Sequence, residues 1–144
     1  MTSDMGINRK IVLISCVSKK NESAAAASNL YTSALFVKSL NYARKQNPDM
    51  IFVLSALYGL VPIDKEIDPY NKTLNKMSSK ENLEWAGRVT KSLEEICDLE
   101  NDEFVFLAGN NYRKNIIPKI KKYIIPMFGL TIGRQLQFLG ENHE

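Results

Sequence analysis

The chain has 144 residues, 44% of them hydrophobic and 24% charged, with a formal net charge of +3. That length suits one domain able to bury its own core, and the composition is that of a globular protein rather than a disordered or fibrous one. No run of about 18 apolar residues occurs, which excludes a membrane-spanning helix, and the start lacks a long apolar stretch with a small-residue cleavage site, so a cytoplasmic location is expected.

Residues 1–9 read as a flexible leader and residues 141–144 as a tail, leaving residues 10–140 as one α/β domain. Residues 10–16 form the first predicted strand, because Ile11, Val12, Leu13 and Ile14 make the continuous apolar run of a parallel strand buried on both faces. Residues 17–29 are expected to be a small-residue loop. Leu35, Phe36, Leu40 and Ala43 recur at helical spacing, which predicts a helix over 32–46 that Pro48 stops. Met50–Ser55 is a second apolar strand. Residues 56–77 read as one long irregular stretch, and a loop of that length inside a compact domain is usually functional.

Ser78 and Glu81 have the spacing of a capping box. They open a helix running to about Ile96, with Leu83, Ala86, Val89, Leu93 and Ile96 as its buried positions. Residues 104–108 are the third strand, after which Asn111 is expected to cap a helix that Pro118 kinks or restarts. Residues 125–130 form a short fourth strand, and Thr131 caps a last helix through Leu139. The alternation predicts a three-layer α/β/α fold with a four-stranded parallel sheet in the order 2-1-3-4. The crevice outside the carboxyl ends of the strands is then where a ligand binds, with the loops after Cys16 and Gly109 facing each other.

Charge is uneven along the chain. Residues 1–45 carry seven basic and two acidic side chains, residues 46–103 carry six and twelve, and residues 104–144 carry six and two. Basic ends around an acidic middle suit a polyanion partner, or reflect one solvated acidic helix. The two cysteines fit a reducing compartment. The single histidine, His143, lies in the tail, so no metal centre is expected.

The polar segments after the strands supply the candidate site. Ser18, Lys19 and Lys20 follow the first strand, where backbone N–H groups and an ammonium can cradle an anion; two solvated lysines are the plainer alternative. Tyr31 opens the first long helix, with Thr32 or Ser33 as its cap. Ser55 and Gly59 allow close approach of a ligand, and Tyr58 can stack on a base or pack beneath the long loop. Asp68 can activate water, and Asn71 can read a base edge, although a surface turn favours the same residues. Arg113 can hold a phosphate with two parallel hydrogen bonds, and Arg134 adds a further cation. A Ser-His-Asp or Cys-His mechanism lacks the internal histidine it needs.

The segments ISCVSKK, LYTSALF, LSALYGLVP, DPYNKTL, LAGNNYR and IGRQLQFL together resemble a family of small bacterial and phage domains with the uracil-DNA glycosylase-like fold. Relatives of that fold include domains of archaeosine-type transglycosylases and the YaaA peroxide-stress proteins. The resemblance runs from Ile11 to Leu139. It implies a DNA glycosylase that removes a modified base, glucosylated bases included, from phage DNA, with no cofactor and DNA as partner. The late histidine of the usual pattern is absent here. On this reading Asp68 and Asn71 are catalytic, and Tyr58, Tyr70, Ser55 and Gly59 hold the base. Ser18, Lys19, Lys20, Tyr31, Arg113 and Arg134 bind phosphates. A monomer without membrane contact is expected. A non-catalytic DNA- or nucleotide-binding module, and an enzyme acting on nucleosides or nucleotides, remain the alternatives.

Overall fold

The computed structural model describes residues 8–16, 20 and 22–141. The predicted leader and tail therefore lie largely outside the described residues, as do Ser18 and Lys19. In chain order the elements are β1 (Lys10–Ser15), β2 (Ala25–Ala26), α1 (Ala27–Leu30), α2 (Ala34–Lys45), β3 (Met50–Ser55), β4 (Gly59–Pro62) and β5 (Glu66–Ile67). They continue with α3 (Ser79–Ile96), β6 (Glu103–Leu107), α4 (Asn110–Arg113), β7 (Lys122–Ile124) and α5 (Ile132–Gly140).

The main sheet has five strands in the order β4-β3-β1-β6-β7, and β2 and β5 form a separate two-stranded ribbon. β1 pairs in parallel with both β3 and β6, and β6 pairs in parallel with β7. β4 runs antiparallel to β3. The expected four-stranded parallel sheet is thus corrected to five mostly parallel strands. The extra strand lies in the stretch expected to be irregular. Ser55 pairs with Gly59 across the turn of residues 56–58, and Gly59 takes a left-handed φ of 76°. A glycine there closes a three-residue hairpin loop without the Cβ clash other residues would meet. The other edge strand is Lys122–Ile124 rather than 125–130, where Pro126 and Gly129 make a turn instead.

Two crossovers position everything else. β1 leads through α2 to β3 on one side, and β3 leads through α3 to β6 on the other. Right-handed crossovers running in opposite directions put their helices on opposite faces of the sheet. α5 packs against α2. With both faces covered, Ile11, Val12, Leu13 and Ile14 are all essentially inaccessible, which is why that run carries no polar residue.

Local signals set the helix ends. The Ser33 hydroxyl accepts from the Phe36 amide, so Ser33 caps α2. α2 ends at Lys45, with Asn47 at φ 51° and Pro48 after it, the left-handed residue and proline that terminate helices. The Ser78–Glu81 capping box is complete, with both reciprocal bonds formed. The expected buried stripe of α3 is corrected at its ends: Leu83 and Ile96 are exposed, while Asn82, Trp85 and Thr90 are buried. Cys97 is buried just beyond the last turn, and burial pushes its thiol up to about 11.

Arg9 belongs to the fold rather than to a leader. Its backbone amide and guanidinium both donate to the buried Asp102 carboxylate, at 3.0 and 3.1 Å. Asp102 also accepts from the Asp98 amide at 2.8 Å. A carboxylate left in that position without its donors would carry the full cost of desolvation, so the three bonds fix the start of β1 beside the start of β6.

Candidate functional site

The chain leaves β1 toward one edge of the sheet and reaches β6 on the other side of it, so the carboxyl ends of β1 and β6 diverge. Such a switch point leaves a crevice. Here it is a cleft of about 530 Å³, within the size range of small-molecule sites. Its floor is the end of β1 (Ile14, Ser15, Cys16) and of β6 (Phe106, Leu107). Leu35, Phe36 and Ser39 of α2 wall one side, and the turn from Ile125 to Leu130 with Ile132 and Gln135 of α5 walls another. Lys72, Thr73 and Asn75 approach from the loop before α3.

The turn after β6 adds polar lining through Gly109, Asn110, Asn111 and Arg113. Gly109, not Asn111, is the N-cap of the short α4, a correction with a clear cause. The Asn111 side chain is engaged elsewhere, donating to Asn75 Oδ1 at 2.8 Å, which ties the turn to the opposite loop. The buried Asn82 anchors this turn from beneath. It donates to the Asn111 carbonyl at 2.9 Å and accepts from Asn115 at 2.8 Å. Arg113 donates to the Ala108 carbonyl at 2.6 Å, and its guanidinium lies 5.7 Å from the ring centre of Phe128. Burial lowers the Arg113 pKa. Gln135 donates to the Leu130 carbonyl at 3.0 Å. The Asn110 carbonyl accepts from the Lys114 amide at 2.9 Å, but the Asn110 side chain makes no hydrogen bond to the described residues and the residue is exposed at the rim.

Beside the cleft, and sharing Cys16 and Tyr112 with its lining, lies a second polar cluster of a different kind. The Tyr31 and Tyr70 hydroxyls are 2.6 Å apart, and Ser55 Oγ donates to Tyr70 at 2.8 Å while accepting from the Tyr58 amide at 3.0 Å. The Cys16 thiol donates to the Tyr112 hydroxyl at 3.5 Å, and the Leu74 amide donates to the same oxygen at 3.3 Å. Trp85 Nε1 donates to the Ser55 carbonyl at 2.9 Å. Lys20 lies 4.3 Å from the centre of the Tyr70 ring. Burial pushes Tyr31 and Tyr112 up to about 12, pushes Tyr70 up further, and lowers Lys20. These phenols stay protonated and act as a neutral hydrogen-bonded frame.

The predicted site residues therefore divide. Arg113 lines the cleft. Ser55 is fully buried and Tyr31 nearly so, with their hydroxyls used internally, so neither reaches a ligand. The Tyr70 hydroxyl is likewise committed to Tyr31 and Ser55. Gly59 serves the hairpin, and Lys20 bridges to Tyr31. Tyr58 is exposed, but its ring packs edge-on against Tyr70 at 5.4 Å and its hydroxyl donates to the Asp68 carbonyl at 3.4 Å. Asp68 and Asn71 are exposed on the loop leading to Lys72 but do not line the cleft. Arg134 is exposed in the first turn of α5, between two lining residues, without lining it. The residues that sequence reasoning passed over are Asn75 and Phe128. An aromatic inside the Pro-Met-Phe-Gly turn is the one signal that could have found Phe128. No cluster of potential metal ligands occurs among the described residues.

Fold and cleft define an open α/β protein with a polar-rimmed pocket at its sheet switch point. The chain belongs to a family of unknown function, DUF6884, whose profile matches residues 11–141. None of the curated proteins matches the sequence.

Proposed function

We propose that this chain is a DNA glycosylase that hydrolyses the N-glycosidic bond of a modified base, and that it acts in the cytoplasm against phages carrying such bases. The observation that carries the reading is the cleft. It is nucleotide-sized and apolar-floored, and it is rimmed by Lys72, Arg113 and the amides of Asn75, Asn110, Asn111 and Gln135. The resemblance of six ordered segments to domains of the uracil-DNA glycosylase-like fold supports the substrate class. Two free, buried thiols suit a reducing compartment.

A base inside a duplex stack is unreachable, so it is flipped into the cleft at a cost of a few kcal/mol, lowest where pairing is already weak. The apolar floor takes the ring and the amides read its edge. Lys72 and Arg113 face the flanking phosphates. As the bond from the sugar carbon to the base nitrogen breaks, positive charge grows on the sugar and negative charge on the base. Water adds its oxygen to the sugar carbon, and its proton ends on the departing base. Asn110, whose side chain has no partner among the described residues, is the amide placed to orient that water, rather than Asp68.

The test is release of free base from hydroxymethylated, glucosylated and plain DNA, read by alkaline strand cleavage and mass spectrometry. Wild type is expected to release a modified base, with Asn110→Ala slowed at least about a hundredfold, the low end of a positioned group's contribution, and Asp68→Ala little changed. No release from any of the three DNAs sinks the reading. A second reading has its own support: none of the described lining residues is Asp, Glu or His, so the cleft lacks the commonest general acids and bases. Retention of DNA at low salt with no base released establishes a binding module instead.

A further inference from the structure

Residues 104–140 contain no acidic side chain and six basic ones: Arg113, Lys114, Lys119, Lys121, Lys122 and Arg134. The same stretch concentrates exposed apolar surface. Of the nine large apolar side chains exposed among the described residues, Tyr123, Ile124, Phe128 and Ile132 fall within residues 123–132. Phe128 is the most open, at 70%. β7 is a sheet edge with all three residues exposed.

This surface continues the cleft. Phe128 and Ile132 line it, and Tyr123 packs edge-on at 6.4 Å against Phe106, which also lines it. Within residues 104–140 every charged side chain is a cation, although Glu103 of β6 is the register partner of Lys122 and Glu141 ends α5, so the surface is predominantly basic. Cations complement a phosphate backbone, and open aromatic faces suit bases that are free to stack, as only unpaired bases are. A duplex would present its base edges and leave Phe128 and Tyr123 in water.

We infer that the surface formed by β7, the turn at 126–129 and the first turn of α5 binds single-stranded DNA. Phe128 and Tyr123 stack on the bases next to the one in the cleft. Arg113 and Arg134 hold the intervening phosphates. This deepens the glycosylase reading by fixing the strand form of its substrate, and it rests on that reading only for what occupies the cleft.

The experiment is fluorescence anisotropy of the full chain with a labelled oligothymidine, which offers no modified base to cleave. Competitors are an unlabelled duplex of equal length and phosphatidylglycerol vesicles. Wild type is expected to bind the oligothymidine and to be displaced far less by duplex. Phe128→Ala should lose about tenfold in affinity, the scale of one stacked base, while Phe128→Trp retains it. Arg134→Glu should weaken binding and flatten its salt dependence. Equal displacement by duplex, an unchanged Phe128→Ala, or vesicle binding without oligothymidine binding overturns the inference. Oligothymidine binding with no base released from modified DNA would remove the glycosylase reading alone. Base release without oligothymidine affinity would remove this inference alone.

Discussion

The two sides of the sheet's carboxyl edge solve opposite problems with similar residues. On the β3 side, Tyr31, Ser55, Tyr70 and the Tyr58 amide satisfy one another over Trp85. On the β7 side, Arg113, Asn110 and Phe128 face a cleft or open solvent. No buried side-chain nitrogen or oxygen among the described residues lacks a partner, so the closed side has nothing left to offer a ligand. A dense group of hydroxyls and aromatics marks a site only when its polar atoms are left over after folding.

The contrast can be broken by substitution. Trp85→Ala removes the ring beneath the closed cluster and should cost about 3–5 kcal/mol in urea unfolding. A loss under about 1 kcal/mol would mean that the cluster does not depend on its packing. Tyr70→Phe strips the hydroxyl shared by Tyr31 and Ser55 and should cost about 1–3 kcal/mol, because two buried partners lose a bond. A double-mutant cycle with Ser55→Ala should then be strongly non-additive.

Alkaline pH sharpens the same comparison. Tyr31 titrates near 10 when unfolded and near 12 when folded. The unfolded chain therefore loses that proton first, and the stability it contributes is whole below pH 10 and falls as pH rises through 12. Urea midpoints measured across that window should drop less in Tyr31→Phe than in wild type. The smallest expected effect is on the open side, where Phe128→Ala should shift stability by no more than about 0.5 kcal/mol. A larger shift would mean that Phe128 is core.

The strands were legible because β1, β3 and β6 are buried on both faces and so read as unbroken apolar runs. The capping box of α3 was legible because a cap needs only local sequence. β4 was hidden because the hairpin depends on Gly59 adopting a positive φ, while Pro62 and the polar residues after it look like loop. Helical spacing placed Leu83 and Ile96 inside, but α3 turns them to solvent and buries Asn82, whose amide has partners in the turn above. The location of the cleft followed from strand order. Its lining did not, because Asn75 meets Asn111, 36 positions further on, only after the intervening chain has folded.

The central position of β1 has a consequence for the nascent chain. β1 is made first, yet its partner β6 begins only at Glu103. At about 5–20 residues per second, residues 56–102 keep one edge of the most apolar strand open for several seconds during synthesis. Ribosome-stalled chains ending before Glu103 should be cut rapidly by protease or held by a chaperone, and those extending past α5 should resist. Equal resistance in both would show that β1, β3 and β4 fold without β6. The strand that makes the finished sheet most secure is thus the one most in need of shelter while the protein is being made.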